Sequence, residues 1–435
     1  MIAITEEVVS IMRTTGLRWL VMALAVVFIV SGVAGTCFAK KQNDVIRIGV
    51  LEPTSGTFKY VGDSKVWGVQ FVADLWNEKY GGLLGKKIEV YVYDDQMKPD
   101  VAVKMATKAI LEDGCNVLWQ GTGSHIAKAL SRVARKYKVI YFMGSVEAES
   151  LTGEEADAYH FRVALNTAMH SRAIASYYKD KPEFKKFGII CQDYNFGYEA
   201  AEGFKRALKE FRPDAEIAIE VYHPLMTKDF APYITKLNAS GSQAIFTANW
   251  GSDLSLLLKQ GRGLGLTAQV AAYYLEDLFM LREVQDAAIG HIWADCNSAW
   301  YPSKKQNNYN TLWKSRYKKY CGEDADEIWQ YPGTGTQQST YLNMLFTAIQ
   351  KVGKWDVKKI ITTLEGMEYE GFYGTVLMRP EDHQLLMPIP VMQIVKENPL
   401  YNNLCPGGTL LRTIPIEETT IPLDKTGCTR KAGEF

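Results

Sequence analysis

VIRIGVLEPTSGTFKYVGDSKVWGVQFVADLWNEKYGGLLGKKIEVYVYDD, residues 45 to 95, decides the fold. VIRIGVL is β-rich and ends in the turn-forming EPTSG. Val66, Val69, Ala73 and Trp76 then recur at helical spacing until Gly81-Gly82 stops the helix. KIEVYVYDD (87 to 95) follows as a strand, its Ile88, Val90 and Val92 alternating with Glu89, Tyr91 and Tyr93. Strand, helix and strand in one run is the repeating unit of a parallel sheet, because parallel neighbours need a long crossover connection.

The alternation continues on the C-terminal side. A helix begins near Pro99-Asp100 with Val103, Ala106 and Ile110 on one face; NVLWQ (116 to 120), a helix from about Ile126 to Tyr137, and VIYFM (139 to 143) follow. A second series starts after YHFRV (159 to 163), with three strand-like runs, FGIICQ, EIAIEVY and QAIFTA, alternating with four helix-like stretches near Ala168 to Tyr178, Tyr198 to Phe211, Phe230 to Ala239 and Asp253 to Gly261. Beyond Gly290 come apolar runs, a helix-like stretch from about Gln337 to Val352, and GFYGTVLMRPEDHQ, which reads as a short strand pair. The expected fold class is therefore α/β, with two Rossmann-like lobes, each built on a parallel central sheet. Residues 44–162 with about 296–372 make one lobe, and 163–295 with about 373–400 make the other. Chain crossing between lobes more than once forms a multi-strand hinge, and the cleft between lobes is the expected ligand site. Residues 401–435 lack periodicity and are expected to be a loop-rich extension.

At 435 residues with 47% hydrophobic composition, the chain can bury more than one core. Its 49 basic residues balance 49 acidic ones, so neither nucleic acid nor an anionic membrane surface gains a net electrostatic pull. Arg13 and Arg18 precede the apolar stretch Trp19 to Val30, and small residues follow, the pattern of a secretory signal over residues 1–39 with Met12 as an alternative start and cleavage near Ala39. The uncharged run from Trp19 to Ala39 is also long enough to span a bilayer, so an uncleaved anchor facing the periplasm is the alternative.

Six cysteines remain beyond that segment, an even number that permits disulfides in an exported chain. Cys296 with Cys321, and Cys405 with Cys428, suggest themselves by spacing, while Cys115 and Cys191 sit in apolar runs as buried thiols would. No CxxC or HExxH occurs, so no metal site is expected.

WQGTGSHIAKAL (119 to 130) places a glycine-rich turn between a strand and a helix. It lacks both GxxxxGK[ST] and the third glycine of GxGxxG, which removes nucleotide binding; what remains is a turn whose N–H groups and Thr122 and Ser124 hydroxyls could hold a polar group. GxSxG is missing, and the acidic pairs Asp94-Asp95 and Glu276-Asp277 have no evident catalytic partner, so no catalytic residue and no cofactor is expected. Trp119, Trp250 and DYNFGY (193 to 198) put aromatic groups beside strand-end turns, where a cleft needs flat walls.

Taken in order, residues 45 to 95, KPDVAVKMATKAI, FRV, QDYNFGYEAAEGF, ANWGSDLSLLLKQGRGLGL and GFYGTVLMRPEDHQ resemble the periplasmic substrate-binding proteins of ABC transporters, branched-chain amino acid and amide class, with the type I periplasmic binding fold. The resemblance implies capture of a small polar molecule and delivery to a membrane permease, by a periplasmic monomer that is not an enzyme. It implies that the turn matching Gly121, Thr122, Gly123 and Ser124, with the loop Ser145, Val146 and Glu147, holds the ligand's polar head from the first lobe. The second lobe then supplies Tyr194 or Phe196, Asn249 and Trp250, and an acid for a ligand amino group, Glu276 or Asp277, with Tyr60 on the rim. Two departures bear on the ligand. Amino acid binders of that family usually carry Ala-Thr where this chain has Val146-Glu147, and a carboxylate there would repel a ligand carboxylate. Phe196 replaces the tyrosine that commonly precedes the turn glycine. An amide, a cationic amine or an aromatic compound thus stands beside an amino acid as the expected ligand. A ligand-sensing ectodomain of the same fold and a periplasmic amide hydrolase are the alternative functions.

Overall fold

The structure is a computed structural model that describes residues 45–322 and 335–435. The expected signal segment, Met12 and the Ala39 cleavage site lie outside the described residues.

The chain starts with β1 (Val45–Glu52), α1 (Lys59–Tyr80), β2 (Lys87–Asp94), α2 (Pro99–Leu111), β3 (Val117–Gln120), α3 (Ser124–Tyr137), β4 (Ile140–Met143) and β5 (His160–Arg162). The strands form one sheet in the order β2-β1-β3-β4-β5, and β1, β3, β4 and β5 are mutually parallel. β3 and β4 are buried along their whole length, as strands covered on both faces must be. Helix α1 ends where the sequence predicts, at a left-handed Gly81 (φ 68°) whose N–H bonds the Asn77 carbonyl at 3.1 Å.

After β5 come α4 (Thr167–Tyr177), β6 (Lys186–Gln192), α5 (Asn195–Phe211), β7 (Glu216–His223), α6 (Ala231–Ala239), β8 (Ala244–Thr247), α7 (Ser252–Gly263), β9 (Gln269–Ala272), α8 (Leu278–Val284) and β10 (Ile292–Ala294). Asn166 starts α4 by accepting the Met169 N–H at 2.8 Å. The alternating residues of β6 serve two cores: Ile189 joins the main one, while Ile190 packs with Phe230, Ile234 and Leu257 in a separate cluster. Burying each such side chain contributes about 1.5–3 kcal/mol.

The chain then returns to the first sheet. Helices α9 (Lys304–Cys321) and α10 (Gly335–Val352) pack on α1, with Trp313 and Phe346 edge-on to Phe71 and Trp76 at centroid distances of 5.2 and 5.0 Å. After α11 (Val357–Leu364), strands β11 (Glu368–Glu370), β12 (Thr375–Met378) and β13 (Leu385–Leu386) form a small antiparallel sheet; of these only β12 lies within GFYGTVLMRPEDHQ, whose expected strand pair is instead one strand matched by partners just outside it. β14 (Ile389–Val395) and β15 (Gly407–Ile414) complete the second sheet, ordered β15-β14-β10-β9-β8-β6-β7, both joining antiparallel. The segment expected to be a loop-rich extension therefore contributes an edge strand, paired with β14 from Ile389 opposite Ile414 to Val395 opposite Gly407. Edge strands are covered on one side only, so β15 lacks the continuous apolar run that marks the central strands.

Where the chain crosses between the sheets, the fully buried Arg162 donates to Gln384 Oε1 at 2.6 Å, to the Ala148 carbonyl and to the Thr152 hydroxyl. Gln384 Nε2 in turn donates to the Ala164 and Leu385 carbonyls at 2.8 and 2.9 Å. Two crossing segments are thus stitched through one guanidinium.

The expected disulfides are not formed. Cys296 accepts from Gln337 Nε2 at 2.6 Å, Cys405 lies 3.5 Å from Asn398 Nδ2, and Cys428 faces the Glu381 carbonyl at 3.6 Å. Nearness in sequence does not by itself place two thiols in bridging geometry, and Cys296, Cys405 and Cys428 are held by different parts of the fold. Burial pushes the Cys115 and Cys191 thiols up to about 11 and about 12, which keeps both as inert thiols.

Candidate functional site

The first sheet presents its turns at the C-terminal ends of β1, β3 and β4. Directly after β3, the Gly121 N–H donates to Glu52 Oε1 and the Thr122 hydroxyl donates to Glu52 Oε2 at 2.7 Å. Lys65, reaching in from α1, donates to Thr122 Oγ1 at 2.9 Å and to the Gly121 carbonyl. The glycine-rich turn is therefore held from behind by two buried side chains, Glu52 and Lys65, which bond it separately and feel each other's charge, a feature that the sequence pattern does not reveal. Burial pushes Glu52 up to about 7 against the opposing pull of Lys65 and Thr122, and burial pushes Lys65 down. The Thr122 hydroxyl, expected to hold a ligand, is committed to this pair. Ser124 begins α3 and its Oγ accepts the Ala148 N–H at 3.3 Å, tying the turn to the next loop.

That loop carries Ser145, Val146 and Glu147. Ser145 is half-buried, Val146 turns into the apolar core, and Glu147 is 6% exposed. Glu147 meets residues from the second sheet. His170 Nε2 of α4 lies 3.3 Å from Glu147 Oε1 and 3.9 Å from Asp295 Oδ1, while its Nδ1 donates to the Ala294 carbonyl at 2.7 Å. Burial pushes His170 down, but Glu147, Asp295 and that carbonyl outweigh it and leave the imidazole above its usual range. Burial and the Glu147 carboxylate push the Tyr274 hydroxyl well up. Burial, with Asp295, Asp277 and Glu147 nearby, pushes Glu276 well above the carboxylate range. Asp295 is pushed up to about 6 by burial, with His170 opposing and Glu147 adding. Glu147 Oε2 and Glu276 Oε2 are both buried and accept no hydrogen bond from the described residues.

An aromatic wall adjoins these acids. The Trp250 indole N–H donates to Tyr194 Oη at 3.1 Å, and Tyr194 lies 5.8 Å from Phe196, centroid to centroid. Phe196 in turn is 6.3 Å from Tyr273, whose ring stacks on His170 at 4.3 Å. From the first-sheet side, Phe58 reaches Trp250 at 5.9 Å. Gly251 (φ 59°, ψ −138°) occupies a conformation open only to glycine, and a Cβ there would stand 3.8 Å from Tyr60 Oη. Burial and the Asp277 charge both raise Tyr60.

The geometry thus brings together Glu147, Glu276, Tyr194, Phe196 and Trp250, with Tyr60 and Asp277 at the rim. Asn249 stands apart: it is buried towards β7, donating to His223 Nε2 at 2.8 Å. Phe58, His170, Tyr274 and Asp295 belong to the site and were not anticipated. Asp295 had a readable signal, a carboxylate just past a strand's C-terminal end, where open α/β sheets bind ligands. His170 had none, because one histidine in an apolar helix looks like core. Two further concavities, one lined by Cys296, Thr336, Tyr341 and Tyr373 and one by Arg135, Asp157, Tyr159 and Arg430, contain none of these acids.

Residues 45–399 match the family described as periplasmic binding protein. The chain is 27% identical to the Leu/Ile/Val-binding protein homolog 4 of Brucella melitensis biotype 1, over 94% of this chain and 99% of that one. The crystal structure of the leucine-, isoleucine-, valine-, threonine- and alanine-binding protein from Brucella ovis, in its closed conformation, superposes with a TM-score of 0.77 at 26% identity, covering 87% of this chain and 97% of that one. A solute-binding protein of an ABC transporter from Rhodopseudomonas palustris BisB5, in complex with 3,4-dihydroxybenzoic acid, shares the fold with a TM-score of 0.72 at 24% identity, covering 86% and 98%. The family match covers nearly all described residues: the chain belongs to the periplasmic binding proteins, with their type I α/β fold.

Proposed function

We propose that this chain captures one small polar molecule between its two lobes and presents the closed form to a membrane permease, without turning the molecule over. The lobes are residues 44–162 with about 296–372, and 163–295 with about 373–400 extended by β15. The observation that carries the reading is the convergence of Glu147 and Phe58 from the first sheet's side with Glu276, Trp250 and Tyr194 from the second's. A ligand touching both sets favours closure by its differential contact with the closed state. Of the relatives named above, one is named for binding leucine, isoleucine, valine, threonine and alanine and another holds 3,4-dihydroxybenzoic acid, which supports a small polar molecule as the ligand class here. Export with removal of residues 1–39 and action as a monomer complete the proposal; among the described residues no helix is long and apolar enough to cross a membrane.

The test is direct. The purified protein, stripped of bound ligand by unfolding and refolding, is screened by thermal shift against amino acids, amides, amines and aromatic acids. A ligand at a hundred times its Kd adds about 2.7 kcal/mol and raises the midpoint. Trp250→Ala removes the wall contacted from both sides and is expected to weaken that ligand about tenfold, a loss of about 1.4 kcal/mol, with an unchanged midpoint in its absence. Unaltered affinity would exclude the cleft as the capture site, and hydrolysis of any amide in the panel would exclude capture without turnover.

A further inference from the structure

Resting on the capture reading, we infer that the ligand carries a cationic nitrogen, an ammonium or amidinium, seated against Glu147, Glu276 and Asp295, and that no ligand carboxylate is accommodated beside it.

Glu276 feels the charges of Glu147, Asp277 and Asp295, Asp295 feels that of Glu147, and among the described residues the cation in contact with this cluster is His170. Asp277 is partly occupied, accepting the Met280 N–H at 3.3 Å. The two other cations that feel Glu147 are committed elsewhere. Lys65 is held by Glu52, Thr122 and the Gly121 carbonyl, and Arg162 by Gln384, Ala148 and Thr152. Glu147 is 6% exposed, yet its Oε2 has no hydrogen-bond partner among the described residues, and Glu276 Oε2 shares that condition. Buried carboxylate oxygens without donors mark a place where donors are to be supplied from outside. Tyr274 meets Glu147 through its hydroxyl, while Tyr194, within reach of the Glu147 charge and bonded by the Trp250 indole, brings an aromatic ring of the kind that attracts cations.

The first-lobe turn argues the complementary half. In a zwitterion receptor the carboxylate is met by N–H and hydroxyl donors; here two of the turn's donors, the Gly121 N–H and the Thr122 hydroxyl, are spent on Glu52, and Ser124 Oγ already accepts the Ala148 N–H. A ligand carboxylate at this turn would meet Glu52 behind it and Glu147 beside it.

Matched pairs that differ only by the α-carboxylate test this: 3-methylbutylamine against L-leucine, 2-phenylethylamine against L-phenylalanine, and agmatine against L-arginine, titrated calorimetrically into the stripped protein at pH 7.5. In at least one pair the amine is expected to bind tenfold or more tightly than its amino acid. Glu147→Gln is expected to weaken that amine about tenfold and to narrow the gap within the pair. Glu276→Gln provides a second variant should the first fail to fold. Amino acids binding as tightly as their amines in every pair would overturn the inference and leave the capture reading standing. No binding by amines, amino acids, amides or aromatic acids would overturn both.

Discussion

Lys65→Met is expected to lower the unfolding free energy by about 3–5 kcal/mol at pH 8, the usual cost of leaving a buried charge without the opposite charge that compensates it. Lys65 is 4% exposed and Glu52 fully buried, so solvent cannot replace the lost ammonium. Glu52 would keep the Gly121 N–H and the Thr122 hydroxyl but would face Asp95 without a compensating cation. The pH dependence follows from the direction of the Glu52 shift. A carboxyl raised in the folded state contributes stability below its unfolded value, and that contribution is lost as pH rises through the folded value of about 7. Without Lys65 the folded value rises further, so the deficit is larger at pH 8 than at pH 5, where folded Glu52 takes up a proton. Urea unfolding of wild type, Lys65→Met and Glu52→Gln/Lys65→Met at both pH values checks this. The double variant should recover more than half of the loss, because it removes the stranded charge. A single variant within 1 kcal/mol of wild type would show that the pair does not hold the turn.

How the sequence and the site relate is clearest at that turn. Residues 45 to 95 show strand, helix and strand because local periodicity and helix-stopping glycines are properties of neighbours along the chain. The first-sheet strands and both lobes' alternation follow from the same signal. Trp250, Tyr194 and Glu276 are also legible, through strand-end position and family resemblance. Glu52 and Lys65 are not, although thirteen positions apart, because nothing in EPTSG says that its leading glutamate faces inward, and nothing in the helix pattern says that one of its lysines is buried. His170 and Asp295 meet across 125 positions and acquire meaning only when α4 and β10 are packed together. β15 shows the opposite failure. CPGG punctuates the chain like a loop, and the strand after it depends on an exposed edge of β14 that the local sequence does not record.

Asp295→Asn is expected to stabilise the ligand-free protein by about 2–3 kcal/mol at pH 8 and to leave it unchanged at pH 4. Asp295 is raised from its usual range to about 6 by burial, with Glu147 adding and His170 opposing. Each unit of such a shift corresponds to about 1.4 kcal/mol. The raised group favours the folded state fully only below its unfolded value and loses that contribution as pH climbs through about 6. An amide cannot ionise, so the variant escapes the loss, while its carbonyl oxygen can still accept the Cys296 N–H. The same substitution removes one of the acids that face the cationic ligand and should weaken the best amine several-fold. Stability and capture then move in opposite directions at one atom, the pattern expected where a site keeps charge buried for its ligand. Urea unfolding at the two pH values and calorimetric titration of the amine read the two effects independently. Increased stability with unchanged amine affinity would place the Asp295 carboxylate outside the ligand's reach and confine the cation to Glu147 and Glu276. Unchanged stability at pH 8 would mean that Asp295 is not strained by its burial.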